Sequence, residues 1–303
     1  MEEPKRFAKL SFVSHPTQES AADLEPAPHR TRQELLSVHN PYPNDPPWSI
    51  GNAVSLWVAS VLLIILMPAL FLAPYAYSMS AVYPESTDLM TALKTDPFAI
   101  ALQIFAIIPA HLITLAVAFL IVTAGNRYSF FRTLGWERGG MRWFHYFGIL
   151  VGFFFLIGIV GYLLPEPDHE MMRILKSSRY AVFIMAALAV LTAPLVEEVV
   201  YRGVLYSAIQ RTTGVGPAVA IVTLLFALVH LPQYYPSVAT MAILTLLSLV
   251  LTMIRVRTNN LLPCVILHTI FNGMQAVLLI AEPYFGVEPA LEDPIAALAL
   301  FLS

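Results

Sequence analysis

Charged side chains leave long gaps along this chain. No Asp, Glu, Lys or Arg stands between Asp45 and Glu85, Asp96 and Arg127, Arg142 and Glu166, Arg211 and Arg255, or Arg257 and Glu282. A helix needs about 20 apolar residues to cross a bilayer. Backbone groups in lipid must be bonded within their own segment, so uncharged runs of this length are helices. The pattern predicts spans at about 50–74, 98–124, 143–164, 180–210, 215–231, 237–254 and 259–281. The closing run PIAALALFLS (294–303) is too short to cross unaided and reads as the start of an eighth helix tucked against the bundle. The expected fold is all-α, a polytopic membrane helix bundle of about seven to eight transmembrane helices.

Residues 1–49 differ in kind. They are rich in proline and polar residues, without apolar periodicity, and read as a disordered tail. They lack the early apolar core of a signal peptide. NPYPNDPPW (40–48) is a stiff lead-in to the first span. The chain therefore divides into a tail, 1–49, and an integral membrane domain, 50–303, whose polar motifs fall within about 180–281. Gly148, Gly152, Gly158 and Gly161 in the third span suggest close helix contact, with tolerated membrane glycine as the plain alternative.

Composition agrees with the gaps. The chain is 57% hydrophobic and 12% charged, against about 25% charged for a soluble domain. A net charge of -3 and a pI near 6.2 argue against a nucleic-acid partner. The single cysteine, Cys264, excludes an intrachain disulfide and reads as a small packing residue. Positive charge gathers in the amino-terminal tail (Lys5, Arg6, Lys9, Arg30, Arg32), in the loop with Arg127, Arg132, Arg138 and Arg142, at Arg211, and at Arg255 and Arg257. The facing loops hold Lys94 among Glu85, Asp88 and Asp96, then an acidic stretch from Glu282 to Asp293, while 165–179 is mixed. By the positive-inside rule the amino terminus is cytoplasmic.

Ionisable residues inside spans cost at least about 2.5 kcal/mol each on insertion scales and usually mark function. Three clusters stand out: EEVVYR (197–202), FALVH (226–230) and HTIFN (268–272). Glu198 and Arg202 are four apart and share a helix face, in the favourable order for an ion pair. Glu197 points about 100° away, which leaves it for something else, unless both glutamates simply serve Arg202. RTTGVGP (211–217) reads as a turn. An antiparallel hairpin about it sets Glu197 and His230 at one depth, each about 24 Å of helix rise from the turn centre. A carboxylate and an imidazole level with each other suit a general-base pair for activating water. The plain alternative for His230 is a polar residue near a span end, where LPQYYP stops the helix. His268 and Asn272 project from one face of the last span, and two such donors suit an oxyanion; Asn272 could equally be polar glue between helices. His111 and His145 lack companions and read as packing or interface residues.

The order EExxxR, FxxxH, HxxxN resembles the CAAX-protease and bacteriocin-processing (CPBP) membrane proteases, a family that includes the Ras-converting CAAX endopeptidase. Glu197, Glu198, Arg202, Phe226, His230, His268 and Asn272 fill the motif positions. The likeness covers about 180–275, and residues 1–140 add nothing to it. It implies an all-helical intramembrane glutamyl endopeptidase without a metal or other cofactor. Glu197 and His230 would activate water, His268 and Asn272 would hold the oxyanion, and Glu198, Arg202 and Phe226 would support the site. The partners it implies are membrane lipid and a peptide or lipidated protein substrate, possibly a prenylated CAAX terminus.

HExxH, GxGD and GxSxG, the signatures of other intramembrane proteases, are absent. Two other readings compete. Glu197, His230 and His268 are ligand types for a zinc-dependent membrane hydrolase. Alternatively, a non-enzymatic transporter or immunity protein could use buried carboxylate and histidine chains as a proton relay. A relay has no use for paired donors at His268 and Asn272, whereas hydrolysis does.

Overall fold

A computed structural model describes residues 41–164 and 167–281, apart from the side chain of Ser177. The expected tail over 1–40 and the eighth helix at 294–303 lie outside the described residues. Among those residues there are seven helical stretches long and apolar enough to cross a membrane. The protein is an all-helical, multi-pass membrane bundle.

The first span, α1 (Ile50–Ser80), starts at a capping box in which Ser49 and Asn52 satisfy each other's backbone N–H. It runs past the expected end at 74, through Pro68 and Pro74. No charge interrupts it before Glu85, and membrane helices tolerate internal proline. Its apolar side chains Ile65, Leu66 and Leu70 point outward, as a lipid-facing helix requires. A short amphipathic helix, α2 (Ser86–Thr95), leads to the second span, which is broken into α3 (Pro97–Phe105) and α4 (Ile107–Val122). Asp96 caps α3, accepting from the Phe98 N–H, and Pro97 takes the first turn, where no donor is needed.

The loop beyond α4 contains α5 (Phe130–Leu134), and the third span is α6 (Trp143–Leu163). The close contact suggested by its glycines is not made at Gly148, Gly152 or Gly158. A methyl at Gly148, Gly152 or Gly158 would meet nothing within 4 Å. These glycines face open space rather than a neighbouring backbone. Helix α7 (Glu170–Ser177) lies outside the spans; there the Arg173 guanidinium holds the Glu170 carboxyl below its ordinary range.

The fourth span is a composite of α8 (Arg179–Leu191), α9 (Ala193–Glu198), a π-helical stretch over Val199–Leu205, and α10 (Tyr206–Thr213). It is followed by α11 (Val215–Tyr234), α12 (Val238–Thr258) and α13 (Leu262–Ala281). LPQYYP does not stop α11 after His230: the helix carries Pro232 within its last turn and ends at Tyr234.

Residues 41–49 are not a loose tail. Arg255, buried in α12, donates from Nη1 to Asn44 Oδ1 at 3.0 Å and from Nη2 to the Pro43 carbonyl at 2.6 Å. Gln210 donates to the Asn44 carbonyl, and Arg211 to the carbonyls of Pro46 and Trp48. Trp48 is buried, and its indole N–H reaches the Val204 carbonyl in the π-helical stretch at 3.0 Å. Prolines have no N–H to offer neighbouring carbonyls, and Arg255, Gln210 and Arg211 supply donors to this segment instead. Gly135, at φ 76, closes the same end of the bundle. Its carbonyl accepts from Leu261 N–H, and an added methyl would strike Pro43 and Asn260. The lead-in, the 125–142 loop and the α12–α13 turn therefore share one end of the bundle.

Candidate active site

The fourth span is α-helical to Glu198 apart from the step at Thr192, wider over Val199–Leu205, and α-helical again to Thr213. A π turn inserts an extra residue and is frequent at functional sites. Here it carries Arg202, and Gly203 lets the side chains of Leu134 and Leu261 close against it.

Arg202 and Glu198 are both fully buried. Arg202 Nη1 donates to Glu198 Oε1 at 2.9 Å. Nη2 donates to the Ser248 carbonyl and hydroxyl, and Nε to Thr252 Oγ1 at 3.3 Å. The guanidinium carbon lies 4.8 Å from the centre of the Phe226 ring, a cation–π contact. A buried charge is tolerable only when it is paired and its donors are satisfied, and this one meets both conditions. The sequence reading anticipated the pair with Glu198 but missed Ser248 and Thr252. Their only signal is that the two hydroxyls stand four apart on one helix face, in a span that also carries Thr240, Thr245 and Arg255.

Glu198 holds more than Arg202. Its Oε1 also lies 2.9 Å from His268 Nδ1. A carboxylate can only accept, so that ring nitrogen carries the hydrogen. The opposite nitrogen, Nε2, has no hydrogen-bond partner and stands 3.9 Å from Glu197 Oε2, which has none either. Glu197 therefore faces away from Arg202, as its angular position suggests, and its side chain keeps 17% exposure while Glu198 has none. The imidazole nearest Glu197 is His268; among the described residues no hydrogen bond joins Glu197 to His230.

His230 is buried one turn from the end of α11. Its Nδ1 lies 2.6 Å from the Phe226 carbonyl. A carbonyl also only accepts, so Nδ1 bears the hydrogen, and in the neutral ring Nε2 is left as an acceptor. The His230 ring lies tilted beside Phe226 with centroids 4.7 Å apart, and the Phe226 and His268 rings meet edge to face at 6.3 Å. Phe226 thus lies beside both imidazoles.

Asn272 is fully buried and donates to the Ala189 carbonyl at 2.9 Å, tying α13 to α8. That is the helix-to-helix bond of its plainer reading. It uses one amide hydrogen, leaving the second hydrogen, and leaves Oδ1 unpartnered. His111 bonds Thr192 Oγ1 at 2.9 Å, and His145 accepts the Arg142 N–H at the start of α6; neither touches the polar centre. Among the described residues, no three of His, Cys, Asp and Glu are grouped as an ion would require.

Four side chains from two helices, Glu197, Glu198, Arg202 and His268, are thus in direct contact or within 4 Å. His230 and Asn272 stand at the edges of the cluster on their own bonds.

Residues 179–274 match the family model described as type II CAAX prenyl endopeptidase Rce1-like. No curated protein and no solved structure matches the chain. The matched stretch contains every member of the polar centre. The segment that builds this buried centre is therefore the one similar to the type II CAAX prenyl endopeptidases.

Proposed function

We propose that the chain is an intramembrane endopeptidase that hydrolyses a peptide bond with water activated by Glu197 and His230, acting on the carboxy terminus of a prenylated CAAX-type substrate. The observation that carries this reading is the meeting of Glu197, Glu198, Arg202 and His268 in one buried centre within the matched segment.

Glu197 Oε2 has no partner, so it has lone pairs open to a water proton. In this reading the water loses a proton to Glu197 as its oxygen bonds to the scissile carbonyl carbon. His230 Nε2, an acceptor in the neutral ring, orients that water. The carbonyl oxygen becomes an oxyanion. It receives the second amide hydrogen of Asn272 and, when the ring is doubly protonated, the Nε2 hydrogen of His268. The carbon–nitrogen bond then breaks, and the leaving amine takes the proton that Glu197 received. Glu198 fixes the His268 ring through Nδ1, and Arg202 and Phe226 fix Glu198 and the ring stack. The step needs no metal.

The test is incubation of purified protein in detergent with a farnesylated CAAX peptide, with products read by mass. Release of the terminal tripeptide is expected from protein that elemental analysis finds to hold well under one zinc per chain. Stoichiometric zinc, with activity lost on its removal and restored on its return, would replace this reading by the zinc hydrolase. No cleavage of prenylated or plain peptides would favour the relay.

A further inference from the structure

Seven residues beyond His268 on α13 stands Gln275, two helical turns along the same face and about 10 Å away. It is fully buried, and neither its amide nitrogen nor its amide oxygen has a partner. A fold seldom leaves both ends of a buried amide empty, and each such group calls for an explanation. Its surroundings supply one. Asn272 lies between it and His268, with Oδ1 also unpartnered, and His268 Nε2 and the Oε2 atoms of Glu197 and Glu198 are likewise buried without partners at the near end. On α13 the unpartnered atoms of His268, Asn272 and Gln275 follow one helix face away from the reacting centre.

A carboxamide offers a donor and an acceptor side by side, which complement the C=O and N–H of a peptide backbone. An extended peptide advances about 3.3 Å per residue. A substrate whose scissile carbonyl lies at His268 would bring a peptide group about three residues away level with Gln275. Inside the membrane that group has no water to bond. We propose that Gln275 binds the substrate backbone there, holding an extended peptide along α13. This rests on the peptidase reading above and adds to it the register of the bound chain.

The test uses a farnesylated CAAX peptide and a series in which one backbone amide at a time, on either side of the cleaved bond, is replaced by an ester. Wild-type kcat/KM should fall about tenfold at one position, about three residues from the cleaved bond, the scale of one to two hydrogen bonds. Gln275→Met should keep a melting temperature at or above wild type, because it removes an amide with no partner. It should lose about tenfold in kcat/KM on the all-amide peptide, and the sensitive ester should then cost it little. A Gln275→Met protein with wild-type kcat/KM, or an equal ester penalty in both proteins, would overturn the proposal. Should the variant not fold, a flat ester profile in wild type overturns it and a single sensitive position supports it. A wild type that cleaves none of the peptides removes the peptidase reading and this inference together.

Discussion

At the scale of single residues, the adjacent glutamates occupy different worlds. Glu198 is sealed between Arg202 and His268, while Glu197 keeps an open oxygen. Glu198→Gln leaves Arg202 without its counter-charge in a dry interior. Removing one partner of a buried pair costs about 3–5 kcal/mol. It also loosens the His268 ring, because the new amide can present a donor where Nδ1–H needs an acceptor. The expected result is a markedly lower melting temperature and yield in detergent, with activity falling alongside. A Glu198→Gln protein as stable as wild type would show that Arg202 is held by Ser248 and Thr252 alone.

The angular separation of the two glutamates was legible from their adjacency, since neighbours on a helix point about 100° apart. The partner of Glu197 was not. Hairpin counting sets depth but not direction, and a third helix, α13, supplies the imidazole that comes nearest. Asn272 was legible only as a polar residue sharing a face with His268. Its bond to Ala189 depends on how α8 and α13 approach, which no local pattern records.

At the scale of elements, the spans were legible because charge is absent from them, and the expected bounds fall close to the observed ones. Three features escaped that logic. The π-helical stretch over Val199–Leu205 has no composition of its own. The break between α3 and α4 at Ala106 falls three residues before Pro109, which has no N–H to offer the Phe105 carbonyl; the absence of charge does not register it. The ordering of residues 41–49 depends on Arg255 and Arg211, which lie far away in sequence. Read locally, NPYPNDPPW is only stiff; packed, it is a strap whose Trp48 reaches the turn that carries Arg202.

Arg255→Met should unfasten that strap, since it removes the donors to Asn44 and the Pro43 carbonyl and the stack on Tyr206. Limited proteolysis should then cut within 41–49 at protease levels that leave wild type intact. Losing two hydrogen bonds from a charged group costs on the order of 3 kcal/mol or more. Unchanged protection of 41–49 would mean that Arg211 and Trp48 hold the strap without Arg255.

At the scale of the whole molecule, alternation of seven spans puts the lead-in, the 125–142 loop and the α12–α13 turn on one side, and the structure joins them there through Pro43, Asn44, Gly135 and Leu261. Which side this is follows only from charge. We propose from Arg127, Arg132, Arg138 and Arg142 that it is the cytoplasmic side, with Glu85 and Asp88 opposite. In a Cys264→Ala background, Arg132→Cys should label from the cytoplasm and Asp88→Cys from outside. Labelling of both from one side would contradict the alternation, and exchange of the two would invert the orientation.

The account as a whole depends on Glu197 as the base. Glu197→Gln keeps the shape of the side chain and breaks no hydrogen bond of Oε2, since that oxygen makes none. The decisive measurement is the initial rate of farnesylated-peptide cleavage by wild type and by Glu197→Gln in one detergent, beside the melting temperature of each. The account predicts equal melting and a rate lower by about 10² or more, the scale of losing a general base. A folded Glu197→Gln protein that cleaves at the wild-type rate would contradict it.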